Sequence, residues 1–369
     1  MKAKAALLHE KGADFKIEAV ELSAPKDDEV LVRIAASGIC HTDAVVQDQL
    51  VPVPLPAVLG HEGSGIVEKI GANVKSVAPG DHVVLSFATC GACEHCLNGD
   101  IAYCTEFFPL NFFSQTSPIR LNGIHVSSFF GQSSFATYAI AHERSVVKVD
   151  RDIDLDLLGP LGCGIQTGSG TVLNKLKPEF GSSIAIYGCG SVGLSAVMAA
   201  KIAGCAEIIA VDVFQQRLDL ALELGATHAL NAKKVDVVEE VRKITNGGTN
   251  YAIEATGIAE VFRQSVQGLR TLGTACVVGV GGDVTLNMNE DILSQGKTVT
   301  GVIEGSAVPQ LFIPKLIEYY KKGRFPFDKL VSFYEFDDIN QAFEDSKNGV
   351  AVKPVIRMKS SLLIKEEKS

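Results

Sequence analysis

The sequence predicts an α/β protein of two domains, on three observations. At 369 residues, the chain is too long for one small domain. The first part contains short segments separated by glycine, such as "EVLVRIAASGIC", whose alternating apolar residues are typical of half-buried strands. From Ser182 onward, strand-like and helix-like segments alternate, as a doubly wound parallel sheet requires. We therefore expect a β-rich domain over 1–164, a parallel-sheet domain over 165–303 and a return of 304–369 to the first domain.

The individual elements follow from the local pattern. In the first part, "GHEGSGIVEKIGANV", "GDHVVLSF" and "SFATYAIAHERSVVKV" predict strands, whereas the prolines of "LVPVPLPAVLG" predict an extended loop. In the second part, "SIAIYG", "AEIIAVD", "THALNA", "YAIEATG", "TACVVGV" and "TVTGVI" predict strands, with helices such as "VGLSAVMAAKIAG", "QQRLDLALELG" and "VVEEVRKIT" between them. The segment "AVKPVIRMK" predicts a strand that returns to the first domain, and the final "IKEEKS" is expected to fray.

Composition and charge argue against several classes of protein. The net charge of −9 disfavours nucleic acid or an anionic membrane surface as the main partner. The chain has no run of about 18 apolar residues that would predict a membrane-spanning helix. The start, "MKAKAALLHEKGADFK", lacks the apolar core and cleavage site of a signal peptide. We therefore expect a cytoplasmic protein.

Four of the nine cysteines lie within "CGACEHCLNGDIAYC". Because cytosolic thiols are kept reduced, this cluster favours a metal over disulfides. The C-x2-C-x2-C-x7-C spacing predicts a tetrahedral zinc, with an iron–sulfur cluster as the main alternative. A zinc held by four cysteines has no open position for a substrate, so we expect a structural site. Its ligands are Cys90, Cys93, Cys96 and Cys104.

The segment "GCGSVG" follows an apolar strand and opens a predicted helix. Glycines in the G-x-G-x-x-G pattern allow the backbone to approach a pyrophosphate, whose charge then lies at the helix N-terminus. The alternative is a glycine turn that binds no ligand. The predicted pyrophosphate-binding residues are Gly188, Gly190, Ser191, Val192 and Gly193.

An acidic residue, Asp212, ends the next predicted strand, 19 residues after Gly193. A carboxylate at this position accepts hydrogen bonds from the adenosine ribose and repels a 2′-phosphate, so the sequence favours NAD over NADP. Arg217 could reach the same ribose and keeps NADP as an alternative.

Three further metal-ligand residues, Cys40, His61 and Cys163, each lie near glycine at the end of an apolar segment. Two cysteines and one histidine can hold zinc with a fourth position open, an arrangement for which alcohol dehydrogenase is the standard example. Spacing alone does not unite the three, and each taken singly is also explained as a buried thiol or a hydrogen-bonded histidine.

Taken in order, these motifs resemble the zinc-dependent medium-chain alcohol dehydrogenases over essentially the whole chain. The resemblance rests on "GICHTD", "GHEGSG", the four-cysteine segment, "GCGIQTG", "GCGSVG" and Asp212. It is strongest to the benzyl-alcohol (aryl-alcohol) dehydrogenases, through "CTEFF", "FFGQSSFATYA", "LGPLGCGIQTG" and "FIPKLIEYYKKGRFPFDKLVSFYEFDDINQA". It implies a GroES-like β-rich catalytic domain, a Rossmann cofactor domain, NAD and two zinc ions per subunit.

The resemblance also implies roles for single residues around the zinc. Cys40, His61 and Cys163 would bind the catalytic zinc, and Glu62 would approach the metal during ligand exchange. Asp43 would orient His61. Thr42 matches the hydroxyl that would take the proton of the alcohol.

For the cofactor, the resemblance places Thr167 against the nicotinamide and Val278 and Val280 beside its carboxamide. Arg357 corresponds to a pyrophosphate-binding arginine, and His41 occupies another position near that group.

The sequence departs from the animal liver-type pattern at Val45, where that type often has histidine. The terminal base of the proton relay is therefore open between His41 and water.

The substrate is inferred from the resemblance and from phenylalanine. Seven phenylalanines lie between residues 107 and 135 and could form an apolar pocket for a benzyl ring; alternatively, they pack the lobe or a subunit contact. We expect reversible NAD-dependent oxidation of an aromatic primary alcohol to its aldehyde. The alternatives are a dehydrogenase of glutathione or thiol hydroxymethyl adducts, a broad-range primary alcohol dehydrogenase, an NADP-dependent cinnamyl-type enzyme and a non-enzymatic zinc module. The resemblance also implies a homo-oligomer, dimer or tetramer, that associates through the cofactor domain, where the strand near 298–303 could extend a sheet across subunits.

Overall fold

A computed structural model describes residues 1–113 and 116–358, so the final "IKEEKS" lies outside the described residues. The chain forms two compact units. Unit 1 contains Met1–Cys163, Val308–Lys315 and the described residues from Val331 onward. Unit 2 contains Gly164–Ala307 and Leu316–Leu330.

Gly164 and residues 304–307 and 316–330 differ from the predicted division of the chain. They belong to unit 2, whereas the sequence assigns 1–164 and 304–369 to the first domain. The reason is local packing within unit 2: Glu304 accepts from Gln166 Nε2 at 3.1 Å, Phe325 and Phe327 are fully buried, and Lys329 forms an ion pair with Glu223.

The described residues form 18 strands and ten α-helices. The strands are β1 (Lys2–Leu8), β2 (Lys16–Leu22), β3 (Glu29–Gly38), β4 (Ala57–Val58), β5 (Gly63–Ile70), β6 (His82–Leu85), β7 (Ile119–Leu121), β8 (Ile124–His125), β9 (Tyr138–His142), β10 (Val146–Val149), β11 (Ser183–Tyr187), β12 (Glu207–Asp212), β13 (His228–Asn231), β14 (Thr249–Glu254), β15 (Leu269–Val277), β16 (Thr298–Gly301), β17 (Val331–Glu335) and β18 (Lys353–Arg357). The helices are α1 (His41–Gln47), α2 (Glu94–Leu97), α3 (Phe107–Asn111), α4 (Gly164–Gly170), α5 (Ser191–Ala203), α6 (Gln215–Leu224), α7 (Val237–Ile244), α8 (Ala259–Gln267), α9 (Pro309–Lys321) and α10 (Ile339–Lys347).

Unit 1 contains two sheets. One has the strand order β4-β1-β2-β7-β8 and the other β10-β6-β5-β3-β18-β17, with β9 also paired to β3. Alternating residues of β1 and β2, such as Ala3, Leu7 and Val20, form part of a buried core, as the period-two pattern requires. The predicted late strand is β18, which pairs with β3 antiparallel.

The proline-rich segment contains a short strand that the sequence did not predict. Ala57 and Val58, directly after the last proline, form β4 and pair with Leu8 and Leu7 of β1. Both are fully buried, and unlike proline they carry a backbone N–H that can join a sheet. The extended-loop prediction is therefore wrong for these two residues.

Unit 2 is built on a six-stranded parallel sheet with the order β13-β12-β11-β14-β15-β16. Every residue of β11 is buried, because helices cover both faces of such a sheet. The order reverses between β11 and β14, the point at which doubly wound sheets bind ligands at their carboxyl ends. The predicted fold class is thus confirmed. No helix in the described part of the chain is long and apolar enough to cross a membrane.

Candidate active site

The four cysteines of segment 90–104 converge on one point in unit 1. Their sulfur atoms all lie within 4.8 Å of one another, and the Cys90–Cys96 and Cys93–Cys104 pairs are each 3.9 Å apart. All nine cysteines are free thiols, so no disulfide forms here. Ligands of a tetrahedral zinc with bonds of about 2.3 Å lie about 3.8 Å apart, so the spacing fits zinc.

The hydrogen bonds and charges around the four cysteines of segment 90–104 also favour a bound cation. Cys90 Sγ and Cys104 Sγ each accept a backbone N–H hydrogen bond at 3.3 Å. Backbone hydrogen bonds from Thr105 and Cys96 lower the pKa of Cys93 to about 5. Burial, together with a hydrogen bond to Cys93, raises the pKa of Cys96 to about 12. Thiolates this close repel each other unless a positive charge lies among them, which a zinc ion supplies.

A second cluster in unit 1 joins residues that are far apart in the sequence. Its members offer ligand atoms that all lie within 4.8 Å of one another, and they are Cys40, His61, Glu62 and Cys163. The pairing of β3 with β5 places Ser37 opposite Gly63, which brings the segment after β3 beside His61. Cys163 directly follows the buried turn Gly159–Gly162. The fold thus unites the three residues that spacing alone could not.

Asp43 lies behind His61. Its Oδ1 is 3.0 Å from His61 Nδ1, and both side chains are fully buried. On the other side of the ring, Nε2 is buried with no hydrogen-bond partner among the described residues. A buried ring nitrogen without a partner, in reach of two cysteine sulfurs, is what a metal ligand requires. The donor set therefore fits zinc.

The same groups perturb one another electrostatically. Burial alone would lower the pKa of His61, but the charges of Asp43 and Cys40 raise it well above its usual range. The pKa of Cys40 lies well below that of a free thiol. A hydrogen bond with Cys163 lowers it most, burial opposes the change, and the hydrogen bond and charge of His61 lower it further. Cys40 is thus disposed to be a thiolate, the form that binds metal.

Glu62 is tied to a lysine that sequence reasoning missed. Lys353 Nζ lies 2.9 Å from both Glu62 carboxylate oxygens and donates to Ile39 O at 2.9 Å. Both side chains are buried. Burial raises the pKa of Glu62, with Lys353 opposing the rise. Burial lowers the pKa of Lys353, but the charges of Glu62, Cys40 and Cys163 together raise it above its usual value. The sequence did contain a signal for this ion pair: Lys353 lies in the apolar strand β18, and a buried lysine needs a partner of opposite charge.

A glycine makes room for this ion pair. A Cβ atom on Gly38 would lie 2.0 Å from Glu62 Oε2. Any side chain at the end of β3 would therefore displace the carboxylate.

A second missed residue is Gln132. It is buried and holds the backbone on both sides of the His61–Glu62 segment: its Nε2 donates to His61 O at 3.0 Å, and its Oε1 accepts from Gly63 N at 3.1 Å. The motif "FFGQSSFATYA" contained Gln132, but no sequence pattern marked its role.

Aromatic rings surround His61. The Phe130 ring stacks on the imidazole at 4.5 Å between centroids, and Phe129 meets it edge-on at 5.4 Å. Phe112 packs on both phenylalanines, at 5.5 Å from Phe129 and 5.2 Å from Phe130. Of the seven phenylalanines considered in the sequence, the five buried ones pack the interior, as the alternative interpretation held, and these are Phe107, Phe112, Phe129, Phe130 and Phe135. Phe108 and Phe113 are exposed.

The glycine-rich segment of unit 2 forms an open cradle between β11 and α5. Gly188 has φ +93, a conformation that favours glycine, and a Cβ on Gly193 would lie 1.8 Å from Gly188 O. Around the Cβ position of Gly190 there is open space within 4 Å. Ser191 and Val192 begin α5, whose N-cap, Gly190, supplies no side-chain cap. Free N–H groups beside open space fit a pyrophosphate.

Asp212 ends β12 beside this cradle. Its Oδ2 accepts from Cys189 N at 2.6 Å, and its Oδ1 accepts from Val213 N at 2.7 Å and Phe214 N at 2.9 Å. The carboxylate is therefore fixed at the carboxyl edge of the sheet, where a ribose can reach it.

Two cations lie near that position. The Arg217 guanidinium carbon is 4.8 Å from the centroid of the Phe214 ring, and Lys233 Nζ is 5.7 Å from it. The ring holds both cations by cation–π attraction.

The remaining predicted residues occupy several places. Thr167 lies in α4; Val278 N donates to Glu254 O at 2.8 Å, and Val280 is exposed two residues later. Arg357 is engaged within unit 1, at 2.9 Å from Asp156 Oδ2 and 3.5 Å from the centroid of the Phe333 ring.

At the start of α1, His41 is exposed and Thr42 is half-buried. Thr42 Oγ1 lies 3.7 Å from Cys40 Sγ. The Thr42 hydroxyl is thus next to the predicted metal ligand.

Family profiles and relatives match this arrangement. The zinc-binding dehydrogenase profile matches residues 191–320, and the alcohol dehydrogenase GroES-like domain matches residues 26–151. Geraniol dehydrogenase of Castellaniella defragrans is 44% identical over 366 residues, which cover 96% of this chain and 97% of that protein. The chain belongs to the zinc-binding alcohol dehydrogenases.

Solved structures also match the chain over nearly its whole length. An alcohol dehydrogenase zinc-binding domain protein from Burkholderia ambifaria is 51% identical, with a TM-score of 0.95 and coverage of 97% of this chain and 99% of that one. Benzyl alcohol dehydrogenase from Acinetobacter calcoaceticus is 51% identical, with a TM-score of 0.94 and coverage of 97% and 100%. The family resemblance inferred from the motifs is confirmed.

Proposed function

We propose that this alcohol dehydrogenase oxidises an aromatic primary alcohol of the benzyl type to its aldehyde with NAD, reversibly. The observation that carries the substrate proposal is the 51% identity, over 97% of this chain, to a benzyl alcohol dehydrogenase. The Phe129 and Phe130 rings are buried against the imidazole of His61, so they hold this proposed zinc ligand in an apolar environment rather than line a pocket themselves.

We assign one zinc to each cysteine-containing cluster. Cys90, Cys93, Cys96 and Cys104 would hold the structural ion with all four of its positions filled. Cys40, His61 and Cys163 would hold the catalytic ion and leave one position open for the alcohol. In the fit of this second site, the unpaired Nε2 of His61 is the decisive atom.

The chemistry divides between the bound groups and the chain. When bound, zinc would supply Lewis acidity that lowers the pKa of the alcohol hydroxyl, and NAD would supply the acceptor for the hydride. The chain holds the ligands and moves the proton. Asp43 fixes the orientation of His61, and Lys353 holds the Glu62 carboxylate.

Thr42 is the proposed first proton acceptor, because its hydroxyl lies on the first turn of α1 beside Cys40. Val45, one turn further, is buried and apolar and offers no base. We assign the next step of the relay to solvent or to His41, which is exposed on the same helix.

NAD is proposed over NADP because the Asp212 carboxylate would repel a 2′-phosphate. Its three backbone hydrogen bonds prevent it from turning away. The positive charges of Arg217 and Lys233 would favour the 2′-phosphate of NADP, but both cations already lie against the Phe214 ring. A comparison of kcat/KM for the two cofactors tests this choice.

A homo-oligomer is proposed through β16. This edge strand of the parallel sheet leaves Val299 40% exposed, so that it could pair with a second copy. Light scattering of the purified chain measures the assembly.

A second candidate substrate is geraniol, because a curated relative at 44% identity is a geraniol dehydrogenase. Benzyl alcohol and geraniol are both primary alcohols whose carbinol carbon is bonded to an unsaturated carbon. The two proposals therefore differ in the shape of the apolar site rather than in the chemistry.

The experiment is a kcat/KM panel with benzyl alcohol, geraniol, cinnamyl alcohol and ethanol, each with NAD. The proposal predicts that benzyl alcohol is the best substrate. A preference for geraniol would favour the second candidate. Benzyl alcohol no better than ethanol would contradict the benzyl proposal, and ethanol as good as both benzyl alcohol and geraniol would contradict both candidates. Formaldehyde with glutathione, as an added arm, tests the thiol-adduct alternative.

A further inference from the structure

The turn after β16 has an unusual backbone. Glu304, Gly305 and Ser306 have φ values of 48, 64 and 48, so that three consecutive residues are left-handed and two of them carry a Cβ. Non-glycine residues avoid this region, and such strain is concentrated at functional sites. The turn therefore needs a reason beyond connecting two elements.

Contacts with α4 hold the turn in place. Glu304 is 6% exposed, and its Oε2 accepts from Gln166 Nε2 at 3.1 Å and Thr167 Oγ1 at 3.4 Å. A Cβ on Gly305 would lie 2.4 Å from Gln166 O and 2.8 Å from Gly170 Cα. The strained backbone thus delivers a buried carboxylate to the hydroxyl of Thr167.

The turn also lies at a functional edge of the sheet. Glu304 comes three residues after the end of β16. Doubly wound sheets bind dinucleotides outside the carboxyl ends of their strands, one mononucleotide to each half. The cradle and Asp212 belong to the half formed by β11 to β13, so the half formed by β14 to β16 would receive the nicotinamide.

We propose that Glu304 is a positioning residue of the nicotinamide site, which fixes Thr167 and Gln166 and whose negative charge favours the oxidised ring. This inference rests on the proposed NAD-dependent function. The nicotinamide ring is positively charged in NAD⁺ and neutral in NADH. A fixed carboxylate in a partly dehydrated site attracts only the charged form, since Coulomb interactions are weakly screened there.

The test measures dissociation constants of NAD⁺ and NADH by calorimetry for the zinc-loaded wild type and three variants. Glu304→Gln keeps the shape and removes the charge. Thr167→Val keeps the charge and removes one hydrogen-bond donor. Glu179→Gln neutralises an exposed carboxylate of the same unit and is the matched control.

The proposal predicts that E304Q raises the dissociation constant of NAD⁺ about tenfold relative to that of NADH, the shift expected when one nearby charge is removed. T167V should weaken both forms alike, and E179Q should change neither. An unchanged NAD⁺-to-NADH ratio in a folded E304Q, or an equal change in T167V, would overturn it.

Two further outcomes distinguish a failure of this inference from a failure of the proposed function. If E304Q and Glu304→Asp both fail to fold, Glu304 is purely structural and the inference is wrong. If the wild type binds neither NAD⁺ nor NADH, the proposed function itself fails.

Discussion

His61 Nδ1 lies 3.0 Å from Asp43 Oδ1, and the same carboxylate accepts backbone N–H bonds from Gly60 at 3.1 Å and Cys40 at 3.0 Å. One buried side chain thus fixes two proposed zinc ligands, Cys40 and His61, and the backbone of Gly60 directly before His61. The Asp43 carboxylate accepts hydrogen bonds, so it favours a proton on His61 Nδ1. The other ring nitrogen, Nε2, is then free to bind metal.

Asp43→Asn tests this relationship. The amide places an N–H group where carboxylate oxygens now accept, so the orientation of His61 is lost. We expect the zinc affinity of this site to fall by about 10- to 100-fold, the usual effect of removing such a partner. Competition with a chromogenic chelator measures it. Asp48→Asn, at an exposed position after α1, is the control, and equal zinc affinity in both variants would contradict the role of Asp43.

Lys353→Met tests the buried ion pair. Loss of the lysine leaves the Glu62 carboxylate buried without its cation, which costs about 3–5 kcal/mol of unfolding free energy. Urea denaturation of the zinc-loaded protein measures it. Lys347→Met, at an exposed position, should change stability little. Adding Glu62→Gln to K353M should recover part of the loss; no recovery would mean that the unpaired charge is not the cause.

Sequence motifs predicted the four-cysteine cluster and the glycine cradle because their ligand types and loop glycines are local signals. The site of Cys40, His61 and Cys163 followed only from the family resemblance, since its residues are far apart in the sequence. The partners that hold them were not predictable in this way. Lys353 lies 291 residues from Glu62, and Gln132 lies 71 and 69 residues from its partners His61 and Gly63. Only the pairing of β18 with β3 brings Lys353 to Glu62. The aromatic cluster was visible in composition, but its burial against His61 depended on packing.

Glu254 gives a pH-dependent prediction. Burial raises the pKa of its carboxyl, although hydrogen bonds from Thr256 and Gly257 oppose the rise. The native state therefore binds a proton more tightly than the unfolded chain. The stability that this gives is present below the unfolded pKa of about 4.3 and is lost as the pH rises through the raised native value.

Glu254→Gln removes this titration. We expect the unfolding free energy of the wild type, relative to E254Q, to fall as the pH rises from about 4.3 towards neutrality. Paired urea titrations at a series of pH values measure the difference, and effects of pH on other groups cancel between the two proteins. A difference that stays constant with pH would show that Glu254 does not titrate as inferred.

Cys93→Ser tests the division of labour between the two metal clusters. Loss of one ligand from a closed four-sulfur site should lower the melting temperature of unit 1 or the yield of folded protein, because metal binding stabilises the lobe. The chemical step in the folded fraction should change little. A fully stable protein with a slower chemical step would reverse the assignment.

The most direct test of the central claim is a zinc count together with benzyl-alcohol-dependent NADH formation, for the wild type and Cys163→Ala. Two zinc ions per chain in the wild type, and one in a folded but inactive C163A, would agree with catalysis at Cys40, His61 and Cys163. Full activity of C163A, or the same zinc count in both proteins, would contradict it.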